Sequence, residues 1–312
     1  MLRNVLTIIS GDTERFKRMG SRDEASPRHP YCYPYYGALK ERQINAKVLS
    51  CGRSSKERKG IRTPGWPSSF LDLVLSLREL CKFDIVMSQG SQGPILALLS
   101  SLVYRQNRKI VTYSCANYSP DHNFIVRLLR QSIYVMGLRL CGAVMFTVRR
   151  QMREAIDELK GDPSRIVYLP AGGGVDTCFY IPRTKSVDPR IRDEIKNLDK
   201  VKYVVFAGDQ LRVEQDIIGV LEGSDICLVR VTQNKRTEVF WNEWRKINPS
   251  SFPVICVAGL DWRELRHVYQ HSLCLINLIN NSWQPAGYTV LLEAMACGLP
   301  IIMNSGLVTE EL

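Results

Sequence analysis

The chain has 312 residues, 45% hydrophobic and 23% charged, which is enough for two domains with separate cores and excludes a disordered or fibrous protein. No apolar run reaches the length of a membrane-spanning helix, the first residues lack a signal-peptide pattern, and the ten cysteines contain no C-x-x-C pair, so the expected setting is reduced and cytoplasmic. The net charge of +11 is uneven: residues 1–150 hold 24 Lys+Arg against 10 Asp+Glu (+14) and residues 151–312 hold 18 against 21 (−3), so the first half is expected to meet an anionic partner or to carry a well-solvated basic surface.

Along the first half, short apolar runs at 5–9, 47–50, 84–88, 109–113 and 143–147 are predicted strands. The stretches 70–80 and 94–104 between them have helical periodicity. Such alternation implies a parallel sheet with its ligands beyond the carboxyl ends of the strands. Two polar segments, 11–34 and 51–68, follow strand ends, and the first runs into tyrosines up to Tyr36. The stretch 124–140 has apolar residues at helical spacing together with Arg127, Arg130 and Arg139. It is read as a core helix of the first domain, with a basic amphipathic helix on an anionic membrane as the alternative.

A second alternating unit begins near residue 202. Strands are predicted at 203–207, 226–231, 254–257 and 273–278, and helices at 213–221, 237–247 and 261–271. Asp261 and Glu264 are spaced as a capping box. The run from Gln284 through Pro-Ala-Gly-Tyr-Thr-Val-Leu-Leu-Glu-Ala-Met-Ala-Cys-Gly-Leu to Pro300 reads as a loop and then a helix opening near Thr289. A short strand, 301–303, follows. Gly287 lets backbone approach a ligand, and the unpaired first amides of the helix favour an anion such as a phosphate. Glu293, among Val290, Leu291, Leu292, Ala294 and Met295, needs a partner if buried; a sugar hydroxyl is one.

This last segment resembles the donor-binding signature of the family-4 retaining glycosyltransferases of GT-B fold. In that family an acidic residue, seven intervening residues and a second acidic residue precede Ala-Met-Ala-x-Gly-x-Pro. Glu293 matches the second acid, which the resemblance places on the ribose of a sugar nucleotide. Pro285 stands where the first acid would be, beside Gln284. A second resemblance covers 141–182, where Pro170-Ala-Gly-Gly-Gly-Val-Asp176, Phe179 and Pro182 follow the order of the family's Pro-Asn-Gly-Val-Asp region. The resemblance covers roughly residues 141–312, and residues 1–140 by pattern only.

The chain departs from the family at the phosphates. After the first strand of the second domain the family has Gly-Arg-x-x-x-x-Lys; here Gly208 is followed by Asp209, and Glu214 stands at the Lys position. Arg212 and Lys235 are the nearest basic substitutes. Fixed positive groups at developing phosphate charge lower the barrier to transfer, so Arg212 is assigned the catalytic role together with Glu293. At the first-domain strand ends, where the family often has a histidine, Gln89, Ser114 and His122 are the candidates, with Gly11 and Tyr36 also on the acceptor side. No Asp-x-Asp and no His/Cys cluster is visible in the sequence, so no metal is expected at the reacting centre.

The expected fold is therefore α/β, two Rossmann-like parallel-sheet domains facing across a cleft. The acceptor domain is 1–180. The donor domain is 181–312, incomplete at its end when set against the family. The expected activity is metal-independent transfer of a sugar from a nucleotide-sugar to a glycan or lipid-linked acceptor with retention. No cofactor beyond the nucleotide-sugar is expected, and no nucleic acid. Donor contacts are assigned to Gly172, Gly173, Gly174, Gly208, Lys235, Gly259, Gln284, Gly287, Tyr288 and Thr289. The alternative is a non-catalytic glycan- or nucleotide-sugar-binding protein on the same scaffold. The basic first half suggests a peripheral place on the inner face of a membrane.

Overall fold

The computed structural model describes residues 4–9, 17, 37–50, 80, 82–89, 92–104, 110–113, 132, 135–136, 139–157, 162–169, 174–183, 188–209, 211–280 and 286–306. The chain forms two compact units, the second beginning at Gly174. Each has its own parallel sheet.

The first unit holds β1 (Asn4–Ile9), α1 (Ala38–Glu41), β2 (Asn45–Ser50), β3 (Ile85–Gln89), α2 (Gln92–Tyr104), β4 (Ile110–Tyr113), β5 (Ala143–Phe146), α3 (Arg149–Asp157) and β6 (Ile166–Tyr168). The strand order is β2-β1-β3-β4-β5-β6, all parallel. The five expected strands form in place. The sixth, β6, is not among the expected strands: its apolar run, 166–169, is short, and Val167 is 44% exposed. Leu6, Ile8, Val86, Ile110, Val144 and Phe146 build the core from the strands, with Leu96 and Ala97 from α2 and Ala155 from α3. At Gly93 of α2 a Cβ would lie 2.3 Å from Thr112 Oγ1, so the helix packs on β4 at a distance only glycine allows. The expected helix at 70–80, apart from Leu80, and most of the 124–140 stretch lie outside the described residues.

The second unit holds α4 (Asp193–Lys196), β7 (Tyr203–Ala207), α5 (Glu214–Leu221), β8 (Cys227–Thr232), α6 (Lys235–Ile247), β9 (Val254–Ala258), α7 (Trp262–His271), β10 (Leu275–Asn277), α8 (Tyr288–Ala296) and β11 (Ile301–Met303). Its order is β11-β10-β7-β8-β9. β7 and β8 are buried along their whole length, as central parallel strands covered on both faces must be. Val205, Ala207, Val229, Val231 and Leu275 pack under α7 and α8; Val204, Phe206, Leu228 and Ile276 pack under α5 and α6 against Trp241.

The cap expected for α7 is present. Asp261 accepts from the amides of Arg263 and Glu264, and Glu264 Oε2 accepts from the Asp261 amide at 3.1 Å. Glu264 also receives Arg192, at 2.6 Å from Nε and 3.0 Å from Nη2, and this guanidinium holds its carboxyl below the usual range. The segment 174–183 lies on the same helix. Arg266 donates to the Phe179 carbonyl at 2.9 Å and stacks over its ring, and Gln270 donates to the Ile181 carbonyl at 2.8 Å.

Candidate functional site

The strand order of the second unit reverses between β7 and β10. Crossovers leave such a switch point in opposite directions, which opens a crevice beyond the carboxyl ends of the two strands. Gly208 follows β7, Asn277 ends β10, and Gly287 caps α8. These three positions, together with Arg212, form the candidate site.

Local backbone geometry aims Arg212 there. Leu211 takes φ +55, a left-handed conformation that is costly for a residue with a Cβ. It turns the chain so that Arg212 pairs with Ile279 in an isolated antiparallel bridge. The Asn280 amide donates to the Leu211 carbonyl at 2.8 Å. Asn304 holds Ile279 from the other side, accepting from its amide at 3.0 Å and donating to its carbonyl at 2.8 Å. Arg212 Nε donates to the Ala207 carbonyl at 2.7 Å.

The far end of the Arg212 guanidinium is buried without a partner: Nη1 has none, and neither has the Asn277 Oδ1 or Nδ2. Buried polar atoms are nearly always satisfied, so these orphans among the described residues make this the candidate binding position. Two of them, Arg212 Nη1 and Asn277 Oδ1, converge on Gly287. A Cβ built there would lie 2.8 Å from Arg212 Nη1 and 2.9 Å from Asn277 Oδ1, while one at Gly208 would lie 2.6 Å from Arg212 Nη2. Both glycines have positive φ, +75 and +91. Burial, and then the nearby Arg230, push the Arg212 pKa down to about 10, so the group stays charged at neutral pH. Chemically the cradle offers a cation, an amide and the positive end of α8.

The acids that replace the family's basic pair are turned inward. Glu214 binds Arg230 on β8, with Nη2 to Oε1 at 2.6 Å, and accepts from Trp241 Nε1 at 2.8 Å. The Arg230 side chain is 0% exposed; it also donates to the carbonyls of Phe206 and Val231 and lies 4.8 Å over the Phe206 ring. Asp209 accepts from the Thr232 hydroxyl and, at 2.8 Å, from the Gln233 amide. The two acids therefore do not confront the phosphate position with uncompensated charge, as their sequence positions suggest.

Glu293 is buried at 4% exposure. Its oxygens accept from the Tyr180 hydroxyl at 3.1 Å and the Tyr269 hydroxyl at 3.2 Å. The partner that the sequence demands for this carboxylate is thus supplied by two tyrosines of its own unit. Burial raises its pKa to about 7, with the tyrosine hydrogen bonds opposing the shift.

The other assigned residues are placed as follows. Tyr288 and Thr289 form the first turn of α8, with Tyr288 buried. Lys235 opens α6 and is bound to Glu238 at 2.8 Å on an exposed face. Gly174 and Gly259 have open space where a Cβ would go. Gln89 ends β3, at the carboxyl edge expected to face a ligand in the first unit. Gly11, Tyr36, Ser114, His122, Gly172, Gly173 and Gln284 lie outside the described residues.

Sequence reasoning missed Asn277, although a polar residue closing the apolar run Leu275-Ile276 was a visible signal. It also missed the Arg230–Glu214 pair, whose partners lie on different elements. A His/Asp group escaped it too: Asp199, His267 and His271 come together with their ligand atoms within 4.8 Å of one another.

No protein-family model matches the chain, and no curated protein matches it. Solved structures do. HepE of Anabaena, in complex with UDP and glucose, superposes with a TM-score of 0.64 at 13% identity, covering 99% of this chain and 82% of that one. A glycosyltransferase from Rickettsia africae gives 0.63 at 15% identity, over 99% and 81%. The UDP-GlcNAc 2-epimerase of Neisseria meningitidis bound to UDP-GlcNAc gives 0.57 at 12% identity, over 99% and 84%. The fold is the two-domain α/β fold of the GT-B glycosyltransferases, which these epimerases share.

Proposed function

We propose that the protein transfers a sugar from a nucleotide-activated donor to a glycan or lipid-linked acceptor, with retention of configuration and without a metal ion at the reacting centre. The observation that carries this reading is the convergence of unpartnered Arg212 and Asn277 atoms on Gly287 at the β7–β10 switch point. A diphosphate fits that chemistry. As the bond from the sugar C1 to the phosphate oxygen breaks, its electron pair passes to that oxygen. The growing charge meets the Arg212 guanidinium and the amides that open α8, fixed groups that need no reorganisation. The acceptor hydroxyl bonds to C1 on the face the diphosphate leaves, and its proton passes to the departing diphosphate oxygen. Support for a nucleotide-sugar donor comes from neighbours of the same fold that hold UDP with glucose or UDP-GlcNAc.

The test is turnover of the full chain against a panel of UDP-, GDP- and ADP-sugars, with release of the nucleoside diphosphate as the readout. Release that rises with an added glycan or lipid-linked acceptor is the expected result. Binding of the nucleotide-sugar without release defines the second reading, a donor-binding protein. That reading is favoured by the engagement of Lys235 with Glu238, which draws the second candidate cation away from a diphosphate. An epimerised sugar in place of transfer would overturn both.

A further inference from the structure

We propose that Asp199, His267 and His271 form a binding site for a divalent first-row transition ion of borderline character, such as Zn2+ or Co2+, separate from the donor site. His267 and His271 are four residues apart on α7, which puts both rings on one helix face. Their centroids are 4.0 Å apart. Asp199 lies in the turn before β7, with Oδ1 at 2.9 Å from His267 Nε2 and Oδ2 at 3.5 Å from His271 Nε2. Donor atoms around a tetrahedral ion with bonds of about 2.1 Å stand roughly 3.4 Å apart; the two His–Asp approaches bracket that spacing, and the three donor atoms lie within 4.8 Å of one another.

The hydrogen-bond pattern supplies a second, independent argument. His271 Nδ1 lies 2.9 Å from the His267 carbonyl. A carbonyl only accepts, so Nδ1 carries a hydrogen, and Nε2 is the nitrogen that faces the carboxylate. Such a bond to a backbone carbonyl is the usual way a ligating imidazole is oriented. His267 Nε2 is buried and, despite its 2.9 Å approach to Asp199, is not in hydrogen-bond geometry with any partner. Two ring nitrogens and a carboxylate thus face one another, an arrangement that a cation would complete. Two imidazoles and a carboxylate suit Zn2+, Co2+ or Ni2+ better than Mg2+ or Ca2+. Asp199 is 27% exposed and leaves an open side for a water as fourth ligand.

The site lies at the amino end of β7, whereas Gly208 and the Arg212 cradle lie at its carboxyl end, roughly 15 Å along the strand. The ion would therefore take no part in transfer. It would clamp the turn before β7 to the end of α7.

The experiment uses the full chain stripped with EDTA and titrated with ZnCl2 by calorimetry, then with CoCl2 while following the visible spectrum. The expected result is one equivalent bound, a raised melting temperature, and Co2+ ligand-field bands without thiolate charge-transfer bands. His267 is 2% exposed and its variants risk misfolding, so Asp199→Asn and His271→Gln are the test variants, checked for native circular dichroism. Each should weaken binding at least about tenfold, the loss that follows even when only a residue orienting a ligand is removed. Absence of stoichiometric binding, unchanged affinity in both variants, or thiolate bands with Co2+ would each overturn the proposal.

Discussion

Glu214 and Arg230 close a buried ion pair, Oε1 to Nη2 at 2.6 Å, at the position where the family that the sequence resembles has a lysine. The pair explains why an acid there is compatible with an anionic ligand nearby: its charge is spent inside the domain. Glu214→Ala leaves Arg230 buried with Asp209, at 3.7 Å, as its remaining counter-charge, and should cost about 3 kcal/mol of unfolding free energy. Glu214→Lys, which restores the basic pattern, should unfold the second unit rather than improve turnover. Urea denaturation followed by tryptophan fluorescence, which reports on Trp241 beside the pair, checks both; a Glu214→Lys protein of unchanged stability would show the pair to be dispensable.

Arg212→Ala should lower kcat more than it raises KM, because the charge it meets grows as the diphosphate leaves. Steady-state kinetics with the active donor decide this. Turnover like that of the parent would remove Arg212 from the mechanism.

Gly287→Ala places a methyl group where the unpartnered Arg212 and Asn277 atoms converge, in a backbone with φ +75. Donor affinity should fall by tenfold or more, about 1.4 kcal/mol, with a loss of stability from the left-handed alanine of about 1 kcal/mol. Calorimetry with the nucleoside diphosphate measures the first and thermal melting the second. Intact affinity would place the phosphates elsewhere.

Glu293 gives a pH signature. Its folded pKa of about 7 lies above its ordinary value of 4.5, so its contribution to stability is fully present below pH 4.5 and is lost as the pH rises through 7. The loss is about 3 kcal/mol for a shift of this size. Glu293→Gln should flatten that part of the stability profile. If the carboxylate also meets the ribose, as the resemblance implies, the same variant should weaken nucleotide-sugar binding by about 1.5–3 kcal/mol. A flattened profile with unchanged affinity would confine Glu293 to holding Tyr180 and Tyr269.

The excess of basic residues in 1–150 predicts binding to vesicles containing anionic lipid that weakens steeply as salt rises past physiological ionic strength. Equal co-sedimentation with neutral and anionic vesicles would refute this electrostatic account.

Much of the fold was legible in the sequence because its strands are central. Tyr203–Ala207 is covered on both faces and appears as an unbroken apolar run, and Cys227–Thr232, equally covered, is apolar but for Arg230 and Thr232. β6, at the sheet edge, is a three-residue strand in the short apolar run 166–169, too brief for its length to mark it as a strand. Gly208, Arg212 and Gly287 were legible as candidates that the fold brings together, since a glycine before a helix and a lone arginine after a strand are local signals. What could not be read was pairing across elements. Arg230 sits in a buried strand where an arginine looks misplaced until Glu214 folds against it. Asn277 gains meaning only when β10 lies beside β7. Tyr180 and Tyr269 reach Glu293 from 113 and 24 residues away, and no periodicity encodes such distances.

Glu264 closes the cap of α7 and holds Arg192 with the same carboxylate. Fraying of that helix end and detachment of the chain ahead of α4 are therefore one event. In hydrogen exchange, the amides of Arg263 and Glu264 should share a single opening free energy with that of Arg192, and all three should lose protection together in Glu264→Ala.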